Sequence, residues 1–182
     1  MKKSMMFLAL AVLSLSAMAE GSEVDPVFVK GDKVINLGIG LGTTYYSSFY
    51  GSHMPALSAS FETGVKDDVL EKGSIGVGGL IGFSSAKYEN YWKTSNILIG
   101  VRGSFHYPLV AKLDTYTGLL LGYNIFTTKY YDTYTGTYGA SASSVALAWF
   151  AGGRYYFNDK IAGMVEIGYG IAYLTLGVSF KI

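Results

Sequence analysis

From Lys33 to Ile182 apolar and polar positions alternate with a period of two, which marks strands with one apolar face. In the first such segment Ile35, Leu37, Ile39 and Leu41 share one face, and Asn36, Gly38, Gly40 and Gly42 the other. Seven more strands are predicted over 55–65, 74–88, 95–108, 114–128, 143–157, 161–168 and 171–182. Compact links at 66–72, 109–113 and 158–160 follow the second, fourth and sixth strands. Longer segments rich in Tyr, Ser, Thr and Gly, at 47–54, 89–94 and 129–142, follow the first, third and fifth, and the last hairpin, around Gly168-Tyr169-Gly170, has almost no loop. The pattern predicts an up-and-down meander with short turns at one end and longer loops mostly at the other.

The distribution of charge between the two faces decides which of them looks inward. Leu57, Phe61, Ile81, Ile99, Leu121, Leu147, Trp149, Val165, Leu176 and Phe180 lie on the apolar face, and no charged residue interrupts the band they form. Glu62, Arg102, Arg154, Glu166 and Lys181 fall on the opposite face among Gly, Ser and Thr. A soluble barrel with this pattern would expose a larger apolar band than a monomer tolerates. In a bilayer the same band is required, since Arg on the lipid face costs about 2–4 kcal/mol at midplane. The predicted fold is therefore all-β: an eight-stranded antiparallel up-and-down transmembrane β-barrel spanning residues 33–182. Eight strands leave an interior just wide enough for side chains, and Leu80, Leu98, Tyr116, Leu120, Phe150 and Met164 fall on the inward phase to fill it. The small inward residues Gly38, Gly40, Gly42, Gly76 and Gly78 relieve crowding there.

Composition supports this reading and narrows the compartment. Half of the residues are hydrophobic and 15% are charged, against roughly 25% charged in soluble domains. The 24 glycines, scattered through apolar stretches, exclude helices there, because each costs about 1 kcal/mol relative to Ala. With no cysteine, disulfides, thiolate zinc sites and a cysteine-linked lipid anchor are excluded. Residues 1–19 read as a secretory signal peptide: Lys2-Lys3, an apolar core from Met5 to Leu15, and Ala17-Met18-Ala19 as the cleavage site. That core is too short for a spanning helix, which needs about 20 apolar residues. Residues 20–32 follow as a short periplasmic segment. Loss of Lys2 and Lys3 takes the formal charge from +1 to −1, so nucleic acid, which rewards a basic surface, is not an expected partner.

The last eight residues, Thr175 to Ile182, read polar, any, Gly, any, any, apolar, any, apolar. Thr175, Gly177, Phe180 and Ile182 thereby match the C-terminal assembly signal of outer-membrane barrels. Together with the leader and the segments Arg154 to Lys160 and Glu166 to Gly170, the chain resembles the small outer-membrane protein beta-barrel domain family over about 33–182. The resemblance implies the barrel fold, an outer-membrane location among its lipids, and insertion by the barrel assembly machinery. It brings no shared catalytic motif.

Candidate chemistry is sparse. Lipid A acylases and deacylases on such barrels need a His base beside Ser, Asp or Glu at the outer-leaflet side. Of the two histidines, His106 falls at the periplasmic end pointing inward, and His53 sits in the first loop without a nearby acidic residue. Asp67, Asp68 and Asp132 are isolated turn carboxylates rather than a set of six or more converging oxygens. No enzyme, metal site or cofactor is expected. The inward charges Glu62, Arg102, Arg154 and Glu166 are expected to form one network closing the lower lumen, with Lys181 at its rim. Tyr50, Trp92, Tyr131, Tyr134 and Tyr138 are the loop residues expected to meet a protein or glycan partner, since exposed aromatics anchor interfaces. The sequence thus predicts a filled barrel with a structural or interaction role, acting through its loops or as a subunit of a larger outer-membrane complex. A narrow porin-like channel is the first alternative and a lipid A-modifying enzyme the second.

Overall fold

The computed structural model describes residues 24–42, 52–88, 91–132 and 136–182. The leader, Tyr50 and Tyr134 lie outside the described residues, as does the His53 side chain. Eight strands follow in chain order: β1 (Lys33–Leu41), β2 (Ser52–Val69), β3 (Gly73–Tyr88), β4 (Trp92–Val110), β5 (Leu113–Asp132), β6 (Gly136–Tyr156), β7 (Ile161–Gly168) and β8 (Leu174–Lys181). Each pairs antiparallel with its neighbours, and β1 pairs with β8 to close the barrel. Burial alternates strictly along β1. The aliphatic face turns outward throughout; Val101 and Leu147 are 65% and 73% exposed. This is the orientation that lipid, not water, stabilises.

The strands depart from the predicted spans at the loop end. β6 begins at Gly136 and β5 runs to Asp132, so most of the segment 129–142, expected as a loop, is strand. Beyond the apolar band both faces of a strand are polar, so alternation loses its contrast, while Thr and Tyr still suit a pleated backbone. By contrast β1, β7 and β8 have only nine, eight and eight residues. β6 pairs with β7 only over Phe150 to Tyr156. Strands β2 to β6 therefore rise past the rim as a sheet extension. β8 starts at Leu174 rather than Ile171, because Ile171 and Ala172 turn inward and are buried. They pack with Ala56, Leu98, Tyr116, Leu120, Ala148 and Phe150 into the apolar core of the lumen.

Irregularities gather at the turn end of β2, where the register shifts between Gly64 and Lys66 and again before Val69. Asp68 near the end of β2, and Leu70 and Glu71 in the turn that follows, adopt positive φ. Register runs unbroken past Gly103 and Gly153, so Arg102 and Arg154 keep their inward phase.

Candidate functional site

Two ionic groups occupy the lumen near the turn end. Arg154, fully buried, reaches across to Glu62 and donates to Asp114 Oδ2 at 3.0 Å. His106 faces the same carboxylates, its Nδ1 2.8 Å from Asp114 Oδ1 and its Nε2 3.3 Å from Glu62 Oε1. Ser104 donates to Glu62. Space for this cluster comes from Gly76, whose added Cβ would lie 2.8 Å from Glu62 Oε1 and 3.0 Å from His106 Nε2. The second group is Arg102 with Glu166, 2.8 Å apart. The guanidinium of Arg102 also stacks 3.8 Å from the Phe150 ring centroid, a contact that stabilises a desolvated cation. Tyr116 joins the groups: its hydroxyl donates to Glu166 Oε2 at 3.1 Å, and its ring lies under Arg154 at 4.5 Å.

The four charges expected inside are all there, but they are not one Arg/Glu mesh. Glu62 pairs with Arg154 and Glu166 with Arg102. Lys181 joins neither group; it pairs with Asp32 at 2.7 Å. Asp114 and His106 complete the first group, and strand parity could have placed Asp114 beside the inward Tyr116. Among the described residues no group of three or more ligating side chains is arranged to hold a metal ion. The carboxylates of the cluster are already taken up by Arg154.

Residues 24–32 do not stand apart as a separate segment. They fold into the turn-end mouth, where Phe28 is buried and stacks on His106 with centroids 4.1 Å apart. Ser74 Oγ donates to the Phe28 carbonyl at 2.7 Å, and Lys181 Nζ to that of Val27 at 2.9 Å. Gly31 and Gly64 zip the segment to β2: Gly31 N–H donates to Gly64 O, and Gly64 N–H to Asp32 O. A Cβ on Gly64 would sit 2.1 Å from Val29 O, so only glycine admits the segment. Sequence alternation missed Phe28 because Val27-Phe28-Val29 is too short to show a period.

One cavity of about 30 Å³, bordered by Arg102, Phe150, Glu166 and Ile171, remains between the ionic groups and the inward hairpin. That is room for little more than one water molecule.

On β8, Thr175 and Gly177 point inward and Phe180 outward, the last opposite Ile35 and Ile161. Ile182 N–H donates to Lys33 O at 2.9 Å. Of the aromatic candidates, Trp92, Tyr131 and Tyr138 are placed on strands, not loops. Trp92 and Tyr138 are both in register with Tyr130, on the inner face of the extension. Tyr130 and Tyr138 stack with centroids 5.5 Å apart. Tyr131 takes the outer face. Tyr130 is not one of those candidates, because only cross-strand register brings it between the other two.

No family model matches the chain, and no curated protein matches it. Among solved structures it is similar to a de novo designed transmembrane β-barrel, at 15% identity and TM-score 0.53 over 84% of this chain and 97% of that one. It is also similar to Ail, the attachment invasion locus protein of Yersinia pestis, at 12% identity and TM-score 0.50 over 84% and 96%. The N-terminal β-barrel domain of Pseudomonas aeruginosa OprF matches at 13% identity and TM-score 0.49 over 84% and 98%. At these identities the likeness shows the fold, and the fold is that of a transmembrane β-barrel.

Proposed function

We propose that the chain is an exported outer-membrane barrel that stays shut and acts as a contact protein at its loop end. In this reading the leader 1–19 directs export, and Thr175, Gly177, Phe180 and Ile182 present β8 to the assembly machinery. The turn end faces the periplasm. The row of Trp92, Tyr130 and Tyr138 is the platform for a glycan or protein partner, since flat aromatic rings suit sugar faces and apolar anchors. The role is non-enzymatic, in keeping with His106 held between two carboxylates at the turn end.

The observation that carries the reading is the stack of buried side chains inside the barrel: Phe28 below, two ionic groups in the middle, and Ile171 above. Purified barrel in a planar bilayer is expected to give no stable conductance steps. Reproducible steps of one defined size would overturn the closed reading in favour of a narrow channel. For the platform, Trp92→Ala with Tyr138→Ala is expected to lower binding on a glycan array about tenfold or more while the barrel stays folded.

A further inference from the structure

Lys87, Lys93 and Lys129 stand directly opposite one another on β3, β4 and β5. All three are exposed. They take the outward phase of their strands, the phase of Phe83, Ile97 and Ile125, which form the top row of the apolar band in the same register. Directly opposed side chains on one face have Cβ atoms about 4.5–5.5 Å apart, and like charges so placed destabilise a sheet. None of the ion pairs among the described residues involves these lysines. The row is flanked by Ser52 on β2 and Gly139 on β6. Beneath it comes a tier of hydroxyls, Ser85, Ser95, Thr127 and Ser141, with oxygens 3.4 Å apart in two neighbouring pairs.

Three cations in one row make a site for a multiply charged anion, and height on the barrel selects its source. Four residues separate each lysine from the top apolar row, about 13 Å along a strand at roughly 3.3 Å per residue. With strands tilted about 40°, the row stands roughly 10 Å above the hydrocarbon edge. Lysine stems snorkel along apolar and hydroxyl surface toward such a level. We propose that Lys87, Lys93 and Lys129 bind the phosphates of a phosphorylated glycolipid of the outer leaflet, whose sugars lie against the hydroxyl tier. This site faces lipid, on the opposite side of the sheet from the aromatic row. It rests on the outer-membrane reading above.

The test uses the whole barrel, refolded into phosphatidylcholine nanodiscs containing either bisphosphorylated lipid A or its dephosphorylated form, with retained lipid counted by native mass spectrometry. The wild type is expected to retain the bisphosphorylated form selectively. Lys87→Gln with Lys93→Gln and Lys129→Gln should lose that selectivity, on the order of a hundredfold, and the corresponding triple Arg variant should keep it. Equal retention of the two lipids by the wild type, or of bisphosphorylated lipid A by wild type and triple Gln variant, would overturn the proposal. So would displacement of the lipid by millimolar inorganic phosphate, which would assign the row to a soluble anion. A second measurement changes sign. Lys93→Gln should raise the urea midpoint in phosphatidylcholine alone, by relieving repulsion, and lower it with bisphosphorylated lipid A; the same sign in both would also overturn it. Failure to insert into either bilayer counts against the outer-membrane reading itself, whereas insertion without lipid selectivity counts against the lysine row alone.

Discussion

Arg154 lies with its guanidinium between Glu62 and Asp114 and over the Tyr116 ring, sealed from solvent. Arg154→Met strands two buried carboxylates and should cost about 3–5 kcal/mol, read as a lowered urea midpoint of the refolded barrel. In double-mutant cycles, Arg154→Met should couple more strongly to Glu62→Gln than to Glu166→Gln; the reverse ranking would restore a single mesh. Strand parity alone sends Glu62, Arg102, Arg154 and Glu166 inward. It cannot say which meets which, because β2 and β6 lie four strands apart in the ring and their side chains meet across the lumen rather than along a ladder. Parity also marks the lipid face, where Leu121 is 56% exposed. Leu121→Arg should destabilise by about 2–4 kcal/mol, and an effect no larger than that of a loop substitution would mean the faces are reversed.

Whole elements were legible wherever one side met lipid, and obscure where neither did. Central spans of the strands follow from alternation. The end of β5 beyond Thr128 and the start of β6 before Ser143 do not; in β6, Gly139 to Ala142 are small residues on both faces. The N-terminal segment is obscure for another reason: its place depends on a gap in β2 at Gly64, which only the folded barrel reveals. Gly64→Val should therefore expel residues 24–32, because its Cβ meets the Val29 carbonyl and two backbone hydrogen bonds are lost with it. Limited proteolysis should then cleave near Val29 while the barrel keeps its heat-modifiable migration; continued protection would show that the segment docks without β2. β8 carries a separate expectation. Phe180→Ala with Ile182 deleted should leave unassembled precursor in the periplasm, and wild-type amounts of heat-modifiable barrel would contradict it.

For the molecule as a whole, the closure proposed above rests on layers in series. Phe28 stacks on His106 inside the turn-end mouth. Arg102 and Phe150 fill the middle, and Ile171 packs over Leu98 and Leu120 beneath the loop end. Resistances in series add, so the tightest layer sets the current whatever happens to the others. Phe28→Ala, Phe150→Ala and Ile171→Gly should each remain silent in a planar bilayer, although each Phe→Ala costs stability of about 3–5 kcal/mol. Combining all three removes an apolar side chain from each layer, so that water can enter beside the paired charges. The triple variant should give stable steps that the single variants lack. Steps from any one single variant would reduce the stack to one gate at that residue. A silent triple variant that still inserts and migrates as folded barrel would mean that the Arg102–Glu166 and Arg154–Glu62 pairs close the lumen by themselves.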